Sequence, residues 1–145
     1  MQDTDTDAAP QGGVTLAGEP GKVRASVAEV AQALRVPGPD PTLEAVTAAC
    51  AQAMADSFEN PSARRQYDYA LDALRTVQDM RDAHDRTDSE FAMRLYAELS
   101  PIYLCTALLH IRGAHGFERD ALRIVGAAEQ RPASAEDRAS GAGPR

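Results

Sequence analysis

Apolar positions recur at spacings of three and four along most of the chain, and no stretch alternates with a period of two, so the pattern predicts helices and no strand. A short stripe of Val27, Val30 and Leu34 follows the pair Ser26 and Glu29, which reads as a capping box and predicts a helix over 27–35. After the Val36-Pro37-Gly38-Pro39 break, Asp40-Pro41 predicts a second start, with Leu43, Val46, Cys50, Met54 and Phe58 on one face. Asn60-Pro61 repeats that device and opens the longest predicted helix, to about Ala83, with Tyr67, Leu71, Leu74, Val77 and Met80 on one side. The run Arg81–Ser89 has no apolar anchor and predicts a solvated turn. Thr87 and Glu90 form a second capping box, giving a fourth helix over 88–99 with Phe91, Leu95 and Leu99 inward.

The stretch 89–116 organises the rest. Ile102, Tyr103, Leu104, Cys105, Ala107, Leu108, Leu109 and Ile111 are apolar nearly all round a helix, which places that segment inside. Ser100-Pro101 reads as its start and Gly113 with Gly116 as its stop; the alternative is one helix bent at Pro101. Phe117, Ala121, Ile124, Val125 and Ala128 then mark a last short helix. The expected architecture is an all-α bundle of five to six helices around the central 101–112 helix. One domain over 23–130 would carry a flexible polar arm at 1–22 and a flexible polar tail at 131–145.

Composition narrows the function. The 145 residues are 43% hydrophobic but only 5% aromatic, so much of the apolar content is alanine, suited to close helix packing. A formal net charge of −7 argues against a surface built for nucleic acid or anionic lipid. Lys22 is the single lysine beside fourteen unclustered arginines. The first residues are acidic without an apolar core, and the longest apolar run is far shorter than a membrane span, so a cytoplasmic protein without membrane partners is expected. Cys50 and Cys105 each fall on an apolar helix side and read as two buried, reduced thiols.

Candidate chemistry is sparse. His110 and His115 are five residues apart, a spacing that does not put two metal ligands on one helix face, and His84 lies in the charged run. No metal or cofactor is therefore expected, and His110 is expected to be a satisfied structural residue. Burial would make Cys105 inert. No phosphate loop, dinucleotide fingerprint or nucleophile elbow is present, so no catalytic residue is assigned. The clearest candidate contact is with a protein: Asp79, Asp82, Asp85 and Asp88 could meet Arg or Lys of a neighbour. The helix–turn–helix outline of 26–57 raises DNA binding as an alternative. Between Val36 and Ala63 there is no Lys or Arg, and the second helix carries Glu44 and Asp56, which counts against it. A small enzyme with an unrecognised site is the other alternative.

The segment Glu29–Met54 resembles the opening of bacteriophage head–tail connector (adaptor) proteins: a short V-x-x-x-L-R-V helix, a brief Asp/Pro turn, then an alanine-rich helix. Val30, Leu34, Arg35, Val36, Asp40, Leu43 and Val46 sit where that pattern wants them. The resemblance implies a non-catalytic assembly protein, forming a homo-oligomer or a ring with portal-type and tail-type proteins in the virion. The pairing of Leu34–Val46 with Pro61–Asp68 is similar to J-domain cochaperones, but the His-Pro-Asp tripeptide of that family is absent, which excludes a working J-domain. The charge distribution makes a direct prediction. In a gel-shift titration at physiological salt the protein should show no sequence-specific retention of duplex DNA; specific, salt-resistant retention would restore the DNA-binding alternative.

Overall fold

A computed structural model describes the backbone over residues 21–142 and side chains as far as Glu129. The described chain is all-helical, with four helices in place of the five to six expected: α1 Val27–Leu34, α2 Leu43–Asp56, α3 Pro61–Arg86 and α4 Glu90–Ala142. The arm at 1–20 and residues 143–145 lie outside the described residues; the backbone at 131–142, read above as tail, belongs to α4.

Local chemistry accounts for the helix starts. At α1 the Glu29 amide donates to Ser26 Oγ (3.1 Å) and the Ser26 amide donates back to Glu29 Oε1 (2.9 Å), the reciprocal capping box. The Lys22 ammonium at 2.7 Å, with the Ser26 amide, holds the Glu29 carboxyl below its usual range. Helix α2 begins two residues later than Asp40-Pro41 suggested, because Thr42 Oγ1 is the oxygen that accepts the Ala45 amide (3.1 Å). At α3, Asn60 Oδ1 accepts the Ala63 amide (3.1 Å) and Pro61 occupies the first helical position.

The ends depart more from expectation. Helix α2 stops at Asp56, where Ser57 turns inward and donates to the Ala53 carbonyl (2.8 Å), so Phe58 leaves the stripe and is 68% exposed. Helix α3 runs to Arg86, reducing the solvated turn to residues 87–89. The expected Thr87–Glu90 box does not form; Ser89 Oγ instead accepts the Ala92 amide (3.1 Å) at the start of α4.

Helices α3 and α4 form an antiparallel hairpin, with Gln66 beside His110 toward one end and Met80 sharing a pocket with Tyr96, Ala97 and Ser100 toward the other. Helices α1 and α2 cover one side of it. Val30, Val46, Cys50, Leu71, Leu74, Leu108 and Ile111 form the most deeply buried part of the core. The segment 101–112 is central, but as the middle of α4 and not as a separate helix. Leu104, Ala107, Leu108 and Ile111 are buried, whereas Ile102 and Tyr103 are each 37% exposed.

Pro101 and the glycines fail to break α4 for identifiable reasons. Pro101 cannot donate to the Ala97 carbonyl, but residue 97 is exposed and water can serve that group, while the Pro101 carbonyl accepts the Ala25 amide (3.0 Å). A Cβ at Gly113 would approach Gln66 Oε1 to 3.2 Å, so glycine here permits close contact between α3 and α4. Unbroken continuity fixes the register: counting back from Leu104 in steps of four gives Ser100 and Tyr96. Phe91 (71% exposed) and Leu95 (42%) therefore point away from the core they were expected to join.

Two substitutions test this account. Pro101→Ala should raise the unfolding free energy read from denaturant titration by about 1–3 kcal/mol, since a mid-helix proline is replaced by the best helix former. A decrease would mean that residue 101 starts a separate helix. Leu108→Ala, at a site 1% exposed, should cost about 2–5 kcal/mol in the same measurement.

Candidate functional site

The four aspartates proposed as a partner contact are all exposed: Asp79, Asp82 and Asp85 on successive turns of α3, and Asp88 in the linker. Asp85 Oδ1 lies 3.2 Å from His84 Nδ1, and the neighbouring Arg81 pairs with Glu44 of α2. Among the described residues no group of three or more His, Cys, Asp or Glu side chains is arranged to hold a metal ion.

His110 Nδ1 lies 2.8 Å from Gln66 Oε1, an acceptor, so Nδ1 carries the proton and donates. The ring also packs on Tyr69, centroids 5.1 Å apart. Burial holds the His110 imidazole below its ordinary pKa. Both cysteines are free and buried. Cys50 Sγ donates to the Tyr67 carbonyl (3.5 Å) and Cys105 Sγ to the Lys22 carbonyl (3.7 Å). Burial pushes the Cys50 thiol up to about 12 and raises Cys105 in the same direction, so neither offers a thiolate at neutral pH.

The main polar constellation was not legible from spacing. Where the end of α2 and the start of α3 meet α4, the Tyr67 hydroxyl donates to Glu118 Oε2 (3.0 Å), and the Ser57 hydroxyl reaches the same oxygen at 3.4 Å. Asn60 Nδ2 donates to the Phe117 carbonyl (3.3 Å), and His115 packs edge-on against the Tyr67 ring, centroids 6.2 Å apart. Burial and then the Glu118 charge raise the Tyr67 hydroxyl above its usual range, so it stays protonated and donating. Burial lowers His115, against the opposing pull of Glu118. Beside this joint lies an open cavity of about 400 Å³, lined by the polar Arg35, His115, Glu118 and Arg119 and by the small Ala33, Ala49 and Ala53. Residues 57, 60, 67 and 118 are brought together over some sixty positions of chain, which no local signal announces.

The second feature is apolar. On α4, Phe117 (41%), Ile124 (67%) and Val125 (52%) stay exposed beyond the bundle. The stripe expected over 117–128 exists as helix, but within the described chain it faces solvent. Tyr103, His110, Phe117 and Ile124 are seven residues apart in turn, the repeat of a helix–helix seam, which is present in the sequence itself. No helix among the described residues is long and apolar enough to cross a membrane. Comparison of the chain with family models, with curated proteins and with solved structures finds no match.

The lowered histidines set a pH dependence with a definite sign. Below the ordinary histidine value of 6.5 the unfolded chain takes up protons that His110 and His115 in the folded protein resist. Stability should therefore fall as pH drops from 6.5 toward the folded-state values, ahead of any loss from the carboxylates. Urea midpoints measured from pH 7.5 downward check this. The double variant His110→Gln, His115→Gln should flatten the dependence in that window, and a wild-type midpoint that rises on acidification would contradict it.

Proposed function

We propose that this chain is a non-catalytic helical assembly or adaptor protein that pairs with a second copy through the outward face of the C-terminal half of α4. The observation that carries the reading is the exposed stripe of Phe117, Ile124, Val125 and Ala128, with half-buried Ala121 between them and charges of both signs at Arg119, Asp120, Arg123 and Glu129. Such a surface is self-complementary: in an antiparallel pair the apolar residues meet and each arginine can lie beside the other copy's carboxylates. The seven-residue spacing of Tyr103, His110, Phe117 and Ile124 would extend the seam toward the shallow groove between α3 and α4 that Tyr69, Tyr103, Thr106 and His110 line.

The specific role we favour is that of a phage head–tail connector-type virion component, supported by the resemblance of Glu29–Met54. In that role the exposed row Asp79, Asp82, Asp85 and Asp88 would contact basic side chains of portal-type or tail-type proteins. The DNA-binding alternative has less support, since exposed Glu44 of α2 is already engaged by Arg81 and no cation flanks it on that helix. Light scattering during size-exclusion chromatography tests the reading. The wild type should elute above its 15.5 kDa monomer mass in a concentration-dependent way, and Ile124→Asp, at an exposed position, should be monomeric with an unchanged helical spectrum. A wild type that stays monomeric at all concentrations, alone and with purified portal and tail proteins, would defeat it.

A further inference from the structure

We propose that the cavity between the C-terminal cap of α1 and the 115–122 segment of α4 binds a small organic monoanion, with a carboxylate-type head between Arg35 and Arg119 and a compact apolar body against the alanine wall. The inference is independent of the assembly reading, because the cavity lies on a different face of α4 from the exposed stripe. His115, Glu118, Arg119 and Leu122 follow the three-and-four spacing of one face, while Phe117, Ala121, Ile124 and Ala128 follow that of its neighbour.

Three observations support the site. The first is size and lining: about 400 Å³ falls within the ~300–1,000 Å³ usual for small-molecule sites, and the space exists because α1 and α2 present Ala33, Ala49 and Ala53 there in place of larger side chains. The second is charge. Arg35 and Arg119 both line the cavity, and neither makes an ion pair among the described residues. The one carboxylate that lines the cavity with them, Glu118, has its Oε2 occupied by the Tyr67 and Ser57 hydroxyls. Two guanidinium groups against one anchored carboxylate leave a single positive charge, which a monoanion would neutralise.

The third observation is backbone geometry. Arg35 is the only non-glycine residue among those described with a left-handed backbone, at φ 60°. A helix C-cap in this conformation is usually glycine, because a side chain there costs roughly 1 kcal/mol. Here the arginine occupies it at the rim of the cavity, with its charge close enough to act on the Tyr67 hydroxyl and the His115 ring. Neutral His115 adds one N–H that can donate to the same head group. A bidentate guanidinium contact suits a planar carboxylate, and the alanine wall suits an aromatic or branched aliphatic body.

The test uses the full-length chain carrying Ile124→Asp, so that loss of assembly and loss of binding are read separately. The probe is naphthalene-2-carboxylate, with the uncharged naphthalene-2-carboxamide as its isostere, followed by calorimetry and by amide chemical shifts. The carboxylate should saturate, moving the amides of Arg35, Ala53 and Arg119, and should bind at least tenfold more tightly than the carboxamide. Arg35→Gln and Arg119→Gln should each weaken binding at least fivefold, whereas Arg94→Gln, on the far part of α4, should leave it unchanged. Ala53→Leu, which fills the cavity without changing any charge, should abolish binding while the helical spectrum is retained. The inference is overturned if no saturation appears by about 10 mM, beyond which affinity is negligible. Equal binding of the carboxamide, or shifts confined to the Phe117–Ile124 face, would overturn it as well.

Discussion

The structure depends on the continuity of α4. Once its backbone passes Pro101, Gly113 and Gly116 without a break, a single rotational register decides the environment of every residue on it. Leu104, Ala107, Leu108, Ile111 and Ala114 take the inward positions because they pack on α3, and everything before and after follows in steps of three and four. Phe91 and Leu95 are carried outward by that register despite being apolar, and Phe117 and Ile124 are left on the solvent side. Burial of the central turns outweighs roughly 1 kcal/mol for each interior glycine and about three for the proline, so the local breakers yield.

The same register segregates two surfaces on adjoining faces of one helix. One is polar, where Glu118 receives the hydroxyls of Ser57 at the end of α2 and Tyr67 of α3 and so fixes the helix against the rest of the bundle. Because a buried hydroxyl left without a partner is unfavourable, the Tyr67–Glu118 bond locks the rotation and the height of α4 at this point. The other is apolar and open, and has no partner within the described chain. The helix thus carries the cavity lining on one face and the exposed apolar stripe on the adjoining one.

Function and fold connect through the alanine content. Small side chains on α1 and α2 bring the helices close without filling the space between them, and that leaves the cavity beside Arg35. Gly113 does the same between α3 and α4, letting the Gln66–His110 bond lie in a tight contact. A core built from larger residues would have closed both features.

By itself, the sequence determined the helical class, the starts of α1 and α3, the stripes that became the core, and the buried state of Cys50, because caps and three-to-four spacings act within a few residues. It also contained the seven-residue spacing of the exposed face. Only the tertiary structure decided that five or six segments would merge into four helices, that Thr87 would not cap α4, and that Phe58, Phe91 and Leu95 would face out. The reason is physical: whether a proline or glycine ends a helix depends on what the flanking turns bury, and that is fixed by α3 packing across the hairpin. The joint of Ser57, Asn60, Tyr67 and Glu118, and the cavity with Arg35 and Arg119 beside it, arise from residues far apart in the chain that only the packed helices bring together.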